Sequence, residues 1–593
     1  MNYDTPVLIV GGGGAGLTSS ALLSTLGVEH TLVSALPTTS ILPKAHVLNQ
    51  RTMEILGDVG LAEPIFAKST PAENMRYMGW YAGFTGDDPD FGRLITKVES
   101  WGCGYENLNW LQASSCRSAN LPQIRLEPLM KARAEELNPG KVRFHHELLA
   151  LEQDRDGVTA RIKNHDTGDE YTVRARYALG CDGGRTIPKM VGIDIEGLGV
   201  LFHTATAHVS ADLSKLAPDP DVLIRWIWCP SISEMAVLVP MGPDHWGPDS
   251  EEWVFHVSYQ GEGPKNLTDQ QIEENMRTAL GIGDLPMKVH KITRWAVEGV
   301  LAKKFREGRV FLVGDAAHRH PPTGGLGLTS GIQDAHNLCW KIAAVLKGHA
   351  KDSLLDSYNA ERRPVDARNI QRSMENSMAH LETGRAFGLN PAAKPDANWA
   401  QLKRIWSGNP EDAEHRRGAL RAIRRISMEA NELNVEYGYR YQSAAVVPDG
   451  TPEPQPIDDI RLYEPRTRPG SPLPHAWVDD ESGKRRPLKD LVAPGRFLLI
   501  AGEEGQDWCA AAATIAAANE LPVDAVRIGH IDGDLFDPRL AWAQFRGITT
   551  KGAVLVRPDR VVGWRSAGAA ANASETLAGA FETILGRRVS VAG

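Results

Sequence analysis

The residues best placed to do chemistry at the start of the chain are glycines. Gly11, Gly13 and Gly16 form a G-x-G-x-x-G run after Val7-Leu8-Ile9-Val10, and residues 17–26 follow as a helix rich in small side chains. The first glycine permits a tight turn, the second lets a pyrophosphate approach the backbone, and the third lets helix and strand pack closely. A helix starting there presents free N–H groups and its positive dipole end to an anion. The pattern predicts dinucleotide binding. The acid that would hold a ribose should end the next strand. Ser34 stands there instead, able to hydrogen-bond a hydroxyl without charge. A second glycine cluster comes three hundred residues later, Gly314-Asp315-Ala316-Ala317-His318 followed by Pro321-Pro322-Thr323-Gly324-Gly325-Leu326-Gly327-Leu328. It reads as a strand ending in Gly-Asp, a loop, and a helix starting near Thr329.

Other residues invite chemical readings beside plainer ones. His46, in Pro43-Lys44-Ala45-His46-Val47-Leu48-Asn49, has a side chain suited to proton transfer near neutral pH; the plainer reading is packing beside a helix start at Asn49. His318 and His320 supply two metal ligands, and no spaced carboxylate or third histidine follows, so no metal is expected. Arg225-Trp226-Ile227-Trp228 is either the wall of an aromatic pocket or half of a buried strand. The charged segment 354–376 reads as a solvated helix face.

These residues need elements to hold them. Residues 6–33 make a βαβ unit, with the first strand continuous enough in apolar residues to be buried on both faces. Residues 50–61 and 125–137 are helical in pattern, and 141–180 turn to the period of two expected of strands. Strand-like runs fill 200–300, which hold much of the tryptophan. Residues 309–347 return to strand, loop and long helix, and 354–440 are helical and charged. The prolines of 448–474 mark a linker, after which 475–593 alternate strand and helix.

The chain has 593 residues, too many for one core. Lys+Arg of 65 against Asp+Glu of 74 gives −9, and no long basic run occurs, which argues against nucleic acid or an anionic membrane as partner. Six scattered cysteines without a CxxC pair fit reduced core thiols of a cytoplasmic protein. No signal peptide or membrane span is expected.

The Gly-Asp cluster makes a resemblance specific. Gly314-Asp315 resembles the motif of FAD-dependent class A aromatic hydroxylases in which the aspartate holds the ribityl chain. Gly180-Cys181-Asp182-Gly183 is similar to their Asp-Gly motif, which serves FAD and NAD(P)H, although Gly184-Arg185-Thr186-Ile187-Pro188 lacks the usual serine. The three motifs stand in family order. Residues 43–54 resemble the phenol hydroxylase group, with Lys44 where arginine is common. Leu121-Pro122-Gln123 and Leu126-Glu127 look like the segment that lays a glutamine beside the flavin. From about 475, with Val554-Leu555-Val556-Arg557-Pro558-Asp559 and Val562-Gly563-Trp564-Arg565, the tail is similar to that group's thioredoxin-like domain. Its lone Cys509 speaks against redox use.

The resemblance implies an α/β fold of four parts: a Rossmann-like FAD-binding domain (1–195 and 296–390), a substrate-binding β-sheet domain (196–295), a helical connector (391–450) and a thioredoxin-like domain (451–593). It implies FAD held by Gly11, Gly13, Gly16, Ser34, Lys44, Arg51, Gln123, Asp182, Asp315, Pro322, Gly327 and Leu328; the pocket-wall reading of the tryptophan run puts Arg225 and Trp226 beside the substrate. NADH or NADPH would reduce the flavin, O2 would add to give a flavin C4a-hydroperoxide, and His46 would deprotonate a phenol so that its ortho carbon takes the oxygen. The alternatives are a hydroxylase of larger, polyketide-type aromatics and a flavin NAD(P)H oxidase that does not hydroxylate. The group also implies a homo-oligomer.

Overall fold

The structure, a computed structural model, describes residues 3–102, 107–230, 234–259 and 263–591. Cys103 lies outside the described residues. Three large sheets organise the chain. In the first, the strand Thr5–Val10 lies between Glu170–Gly180 and His30–Ser34, parallel to both. It is buried on both faces, which explains its unbroken apolar run. Val10 pairs with Gly180 on one side and Val33 on the other. The glycine turn therefore opens at the carboxyl edge of the central strand, where open α/β sheets bind ligands. Val310–Leu312 pairs parallel to Glu170–Gly180 one strand further out and brings the Gly-Asp cluster to the same edge.

The second sheet has eight strands, built on the long antiparallel pair Ile195–Ser210 and Lys288–Ala302. It also takes in Tyr77–Ala82, Arg93–Glu99 and His318–Arg319, so the sheets do not part the chain at residue 195. Side chains alternate between its faces. Ala205, Ala207, Phe255 and Leu238 pack under the helix Asp269–Leu280 through Ile272 and Met276. Trp80, Trp226, Val239 and Val254 form the opposite face and pack with Val47 and Trp101. In the third sheet, Phe497–Ala501 and Val523–Gly529 run parallel around the helix Gln506–Asn519, and Ala553–Val556 and Val562–Ser566 close it antiparallel. This is the thioredoxin-like unit. Among the described residues no helix is long and apolar enough to cross a membrane.

The helix Asp356–Ala386 corrects the expectation of a solvated face at 354–376. Glu361, Arg362 and Asp366 on it are fully buried, because the helix lies between the cofactor unit and the C-terminal sheet. Glu361 receives both arms of Arg557 at 2.6 and 2.8 Å and the ammonium of Lys341 at 2.6 Å. Charge pattern alone cannot distinguish water from a partner 196 residues away.

Candidate active site

The glycine turn does what its spacing requires. Gly11 has φ +119°, and a Cβ there would lie 2.1 Å from the Cys181 carbonyl oxygen. A Cβ on Gly16 would lie 1.9 Å from the Gly11 carbonyl oxygen. Gly13 differs: its Cβ would meet only Glu127 Oε1, at 3.8 Å, so open space lies over the turn where a pyrophosphate would come. The helix Gly14–Thr25 starts there without a side-chain cap. Ser34 ends its strand, buried against Gly12.

The second glycine cluster faces the same groove. The helix Leu326–Leu346 begins three residues earlier than its sequence suggests, because Gly325, at φ +67°, supplies the turn into it. Gly327 and Leu328 thus fall in the first helical turn, whose N–H groups have no partner within the helix. A Cβ on Gly327 would approach nothing closer than His320 Cβ at 3.9 Å, while Leu328 lies against Gly14. Two helix N-termini therefore converge. Asp315 stands between them, exposed into the groove, and its carboxylate makes no hydrogen bond among the described residues. The surrounding protein raises its pKa by desolvation, against His318, Lys44 and Arg319. Pro322 is exposed on the loop between.

Glu127, buried, accepts the Ser40 N–H at 2.7 Å and the Gln123 amide at 2.8 Å. Burial raises its pKa, with Ser40, Gln123, Lys44 and the Gly14 N–H opposing. Gln123 Oε1 in turn accepts the Ala45 N–H at 3.1 Å. Gln123 thereby fastens the His46 loop to the glycine turn. Lys44 stays exposed at φ +43°.

Three expected contacts go elsewhere. Arg51 is buried, with one arm on Glu54 at 2.8 Å and the other on the Asp559 carbonyl at 2.7 Å, so it holds the C-terminal unit rather than a cofactor. Asp182 accepts the N–H groups of Gly184, Thr186 and Ile187 and the Thr186 hydroxyl, and so shapes its own loop. Arg225 points away from the face that carries Trp226; its guanidinium is spent on the carbonyls of Val222, Ala217 and Asp219. Alternation along one strand separates the two residues.

His46 and Trp226 do reach the second sheet's inner face. His46 Nδ1 lies 2.5 Å from Asn120 Oδ1. Asn120 Nδ2 donates to Thr70 Oγ1 at 2.7 Å, so its oxygen is the atom turned to the imidazole. An amide oxygen only accepts, so Nδ1 carries the proton and Nε2 is left with a lone pair. Burial lowers the His46 pKa, with Asn120 opposing, and the ring is neutral at neutral pH. Trp226 packs against Trp80 at 6.3 Å and against His380 at 4.1 Å between ring centres. His380 Nε2 bonds Glu429 Oε2 at 2.5 Å, and Glu429 Oε1 accepts the Gly324 N–H at 3.0 Å. The sequence singled out neither Asn120 nor His380.

His318 is bonded through Nε2 to Asp334 at 2.7 Å and through Nδ1 to His320 at 2.9 Å. Asp366, far away in sequence, completes a group with the two histidines, their ligand atoms within 4.8 Å of one another. The ring nitrogens of His318 are already committed to protein partners. Burial would lower the His318 pKa, but Asp366 and Asp334 push it up to about 9.

The groove fits FAD. It offers open space over Gly13, two helix N-termini, and a carboxylate free to accept ribityl hydroxyls. The chain matches the FAD binding domain family over residues 4–373 and the aromatic-ring hydroxylase C-terminal family over 466–588. It belongs to the FAD-dependent aromatic hydroxylases. Among its relatives, 2,4-dichlorophenol 6-monooxygenase of Delftia acidovorans is 35% identical, covering 98% of each chain. Tetracenomycin A2 monooxygenase-dioxygenase of Streptomyces glaucescens is 33% identical over 100% of this chain and 98% of its own. The flavin-dependent monooxygenase PieE, solved with FAD and substrate, superposes with a TM-score of 0.90 at 34% identity, covering 99% of this chain and 100% of that one. The protein is a flavoprotein aromatic monooxygenase, as the three motifs implied.

Proposed function

We propose that this enzyme hydroxylates a phenol ortho to its hydroxyl, with O2 as oxygen source and NADH or NADPH as reductant. Phenol, O2, NAD(P)H and a proton give catechol, water and NAD(P)+. Bound FAD supplies the electron transfer from nicotinamide to O2 and the delivery of one oxygen atom. The Gly11–Gly16 turn would hold its pyrophosphate and Asp315 its ribityl hydroxyls, with Ser34, Lys44 and Gln123 alongside. The amides of Gly327 and Leu328 would face negative charge on the ring.

The observation that carries the reading is the tautomer of His46. Its free Nε2 lone pair can take the phenol proton, and a phenolate is far richer in electrons than a phenol. The apolar face of Trp226, Trp80 and Val254 would keep water away from the reaction. A larger aromatic substrate is the second reading, favoured by the relative named for tetracenomycin A2. Relative rates on phenol and 1-naphthol separate the two.

His46→Ala should keep FAD, still oxidise NAD(P)H, and lose about 10²–10⁴-fold in hydroxylation, with H2O2 appearing instead. A more acidic halogenated phenol should recover part of the rate. Normal coupling and rate on a weakly acidic phenol at neutral pH would remove His46 from this role. A wild-type enzyme that yields only H2O2 with every phenol would point to an oxidase.

A further inference from the structure

Two histidines from different parts of the chain serve one face of the second sheet with opposite hydrogen-bonding character. His46 comes from the loop that Gln123 fastens, and His256 from the strand Glu252–Tyr259. Val47, next to His46, packs in the same apolar cluster as Val254, two residues before His256 on the same side of its strand. His256 pairs with Thr206 on one neighbouring strand and with Val237 on the other, and both histidines are half-buried.

The proton on His256 can be placed by the argument used for His46. His256 Nδ1 lies 2.7 Å from Thr206 Oγ1. That hydroxyl already accepts the Trp295 indole N–H at 2.9 Å. A threonine hydroxyl has one proton to give, and His256 Nδ1 is the acceptor in reach. The His256 proton therefore sits on Nε2. His46 offers an acceptor where His256 offers a donor. Burial, with His46 adding to it, lowers the His256 pKa to about 3, so the donor is neutral. His46 is the one titratable neighbour acting on it among the described residues.

We propose that His256, through Nε2–H, is the hydrogen-bond donor to the phenolate oxygen that His46 creates. The proposal rests on the reading of His46 as the base. Taking a proton from a phenol in an apolar enclosure leaves an oxyanion that needs a donor. A second cation beside the newly charged His46 would be repelled by it, whereas a neutral imidazole N–H stabilises the oxyanion without that cost. Thr206 and Trp295 act at one remove, by fixing the ring of His256 and the place of its proton.

The test uses oxidised holoenzyme without NAD(P)H, so that nothing turns over, and 4-fluorophenol as probe. Fluorine NMR follows its ionisation from pH 5 to 10, bound and free. The wild type should bind it with a pKa below that in water. Removing a hydrogen bond to a charged oxygen shifts such an equilibrium about tenfold to a hundredfold, so His256→Leu should raise the bound pKa by about one to two units. His256→Gln, which keeps an N–H donor, should restore most of the difference. Thr206→Val should give a smaller rise, because the His256 proton is then free to move to Nδ1; it also covers the case in which His256→Leu does not fold. FAD content and circular dichroism establish that each variant is intact. A bound pKa that stays at the wild-type value in a folded His256→Leu and in Thr206→Val would overturn the proposal while leaving His46 as the base. A wild-type pKa equal to that in water would overturn both.

Discussion

Removing the ammonium of Lys489 tests how the C-terminal unit holds the helix that follows His46. Lys489 donates to Glu54 Oε1 at 2.8 Å with both side chains buried. Glu54 is on the helix Gln50–Asp58, which Asn49 caps three residues after His46. Its carboxylate also takes Arg51, the Ser114 hydroxyl and the Tyr437 hydroxyl. Burial would raise the Glu54 pKa, but Lys489, Arg51 and Arg560 hold it well below the ordinary 4.5. Lys489 is itself lowered, by burial first and with Glu54 opposing. One anion shared among three cations reconciles the two: the carboxylate is the member fixed in its charged form. Breaking a buried pair costs roughly 3–5 kcal/mol, and the partners left to Glu54 place Lys489→Met near 3 kcal/mol. At about 0.8 °C per kcal/mol for a chain of 593 residues, the Tm should fall by about 2–3 °C. The Glu54 contribution is present above pH 4.5 and is lost as the pH falls through its lower folded value, so acid should narrow the gap between wild type and variant. Glu54→Gln should cost a similar amount, and the double variant should cost less than the sum by about 2 kcal/mol or more. Thermal and guanidinium unfolding of the holoenzyme measure all four proteins. Strict additivity would refute the reasoning, since it would mean that neither charge depends on the other.

Asp315→Asn should weaken FAD about tenfold to a hundredfold, measured by flavin fluorescence on titrating the apoprotein; an unchanged dissociation constant would place the ribityl chain elsewhere. Gly13→Ala should keep its fold, since the new Cβ meets only Glu127 Oε1 at 3.8 Å, and should lose FAD because a methyl then fills the space of the pyrophosphate. Loss of the apoprotein's thermal transition in that variant would show a structural role instead. Cys509→Ser should leave hydroxylation intact: burial pushes the thiol up to about 11, no CxxC partner exists, and a change in turnover at normal folding would count against this.

What the sequence discloses follows how local the physics is. The Gly11–Gly16 turn was legible because its chemistry is contained within six residues and a strand. The place of Asp315 between a strand and a helix start was legible because the glycines around it mark a loop. Arg51 was misread because its guanidinium finds a partner across the fold, at Asp559, and Arg225 because strand alternation turns it to the other face of its sheet, onto carbonyls three to eight residues before it. The proton on His46 depends on Asn120, 74 residues away, and on Thr70 behind it. No periodicity announces such a chain. The register that sets His256 beside Thr206 is decided by a pairing between strands some fifty residues apart.

The connector explains why so much of the site lies beyond local reading. Glu429 holds Gly324 and His380 at once, and His380 packs on Trp226. Ala430 accepts the Trp101 N–H at 2.9 Å, and Tyr437 reaches Glu54. Residues 429–437 therefore touch the loop before the helix Leu326–Leu346, the aromatic face, and the helix that follows His46. Each contact is a hydrogen bond to a buried group, and leaving one unmade costs about 1–3 kcal/mol, more where the group is charged. A displacement of the loop relative to the wall would break several at once. The aromatic face and the helix that follows His46 are thus tied together by side chains from a stretch that the sequence marks only as charged and helical.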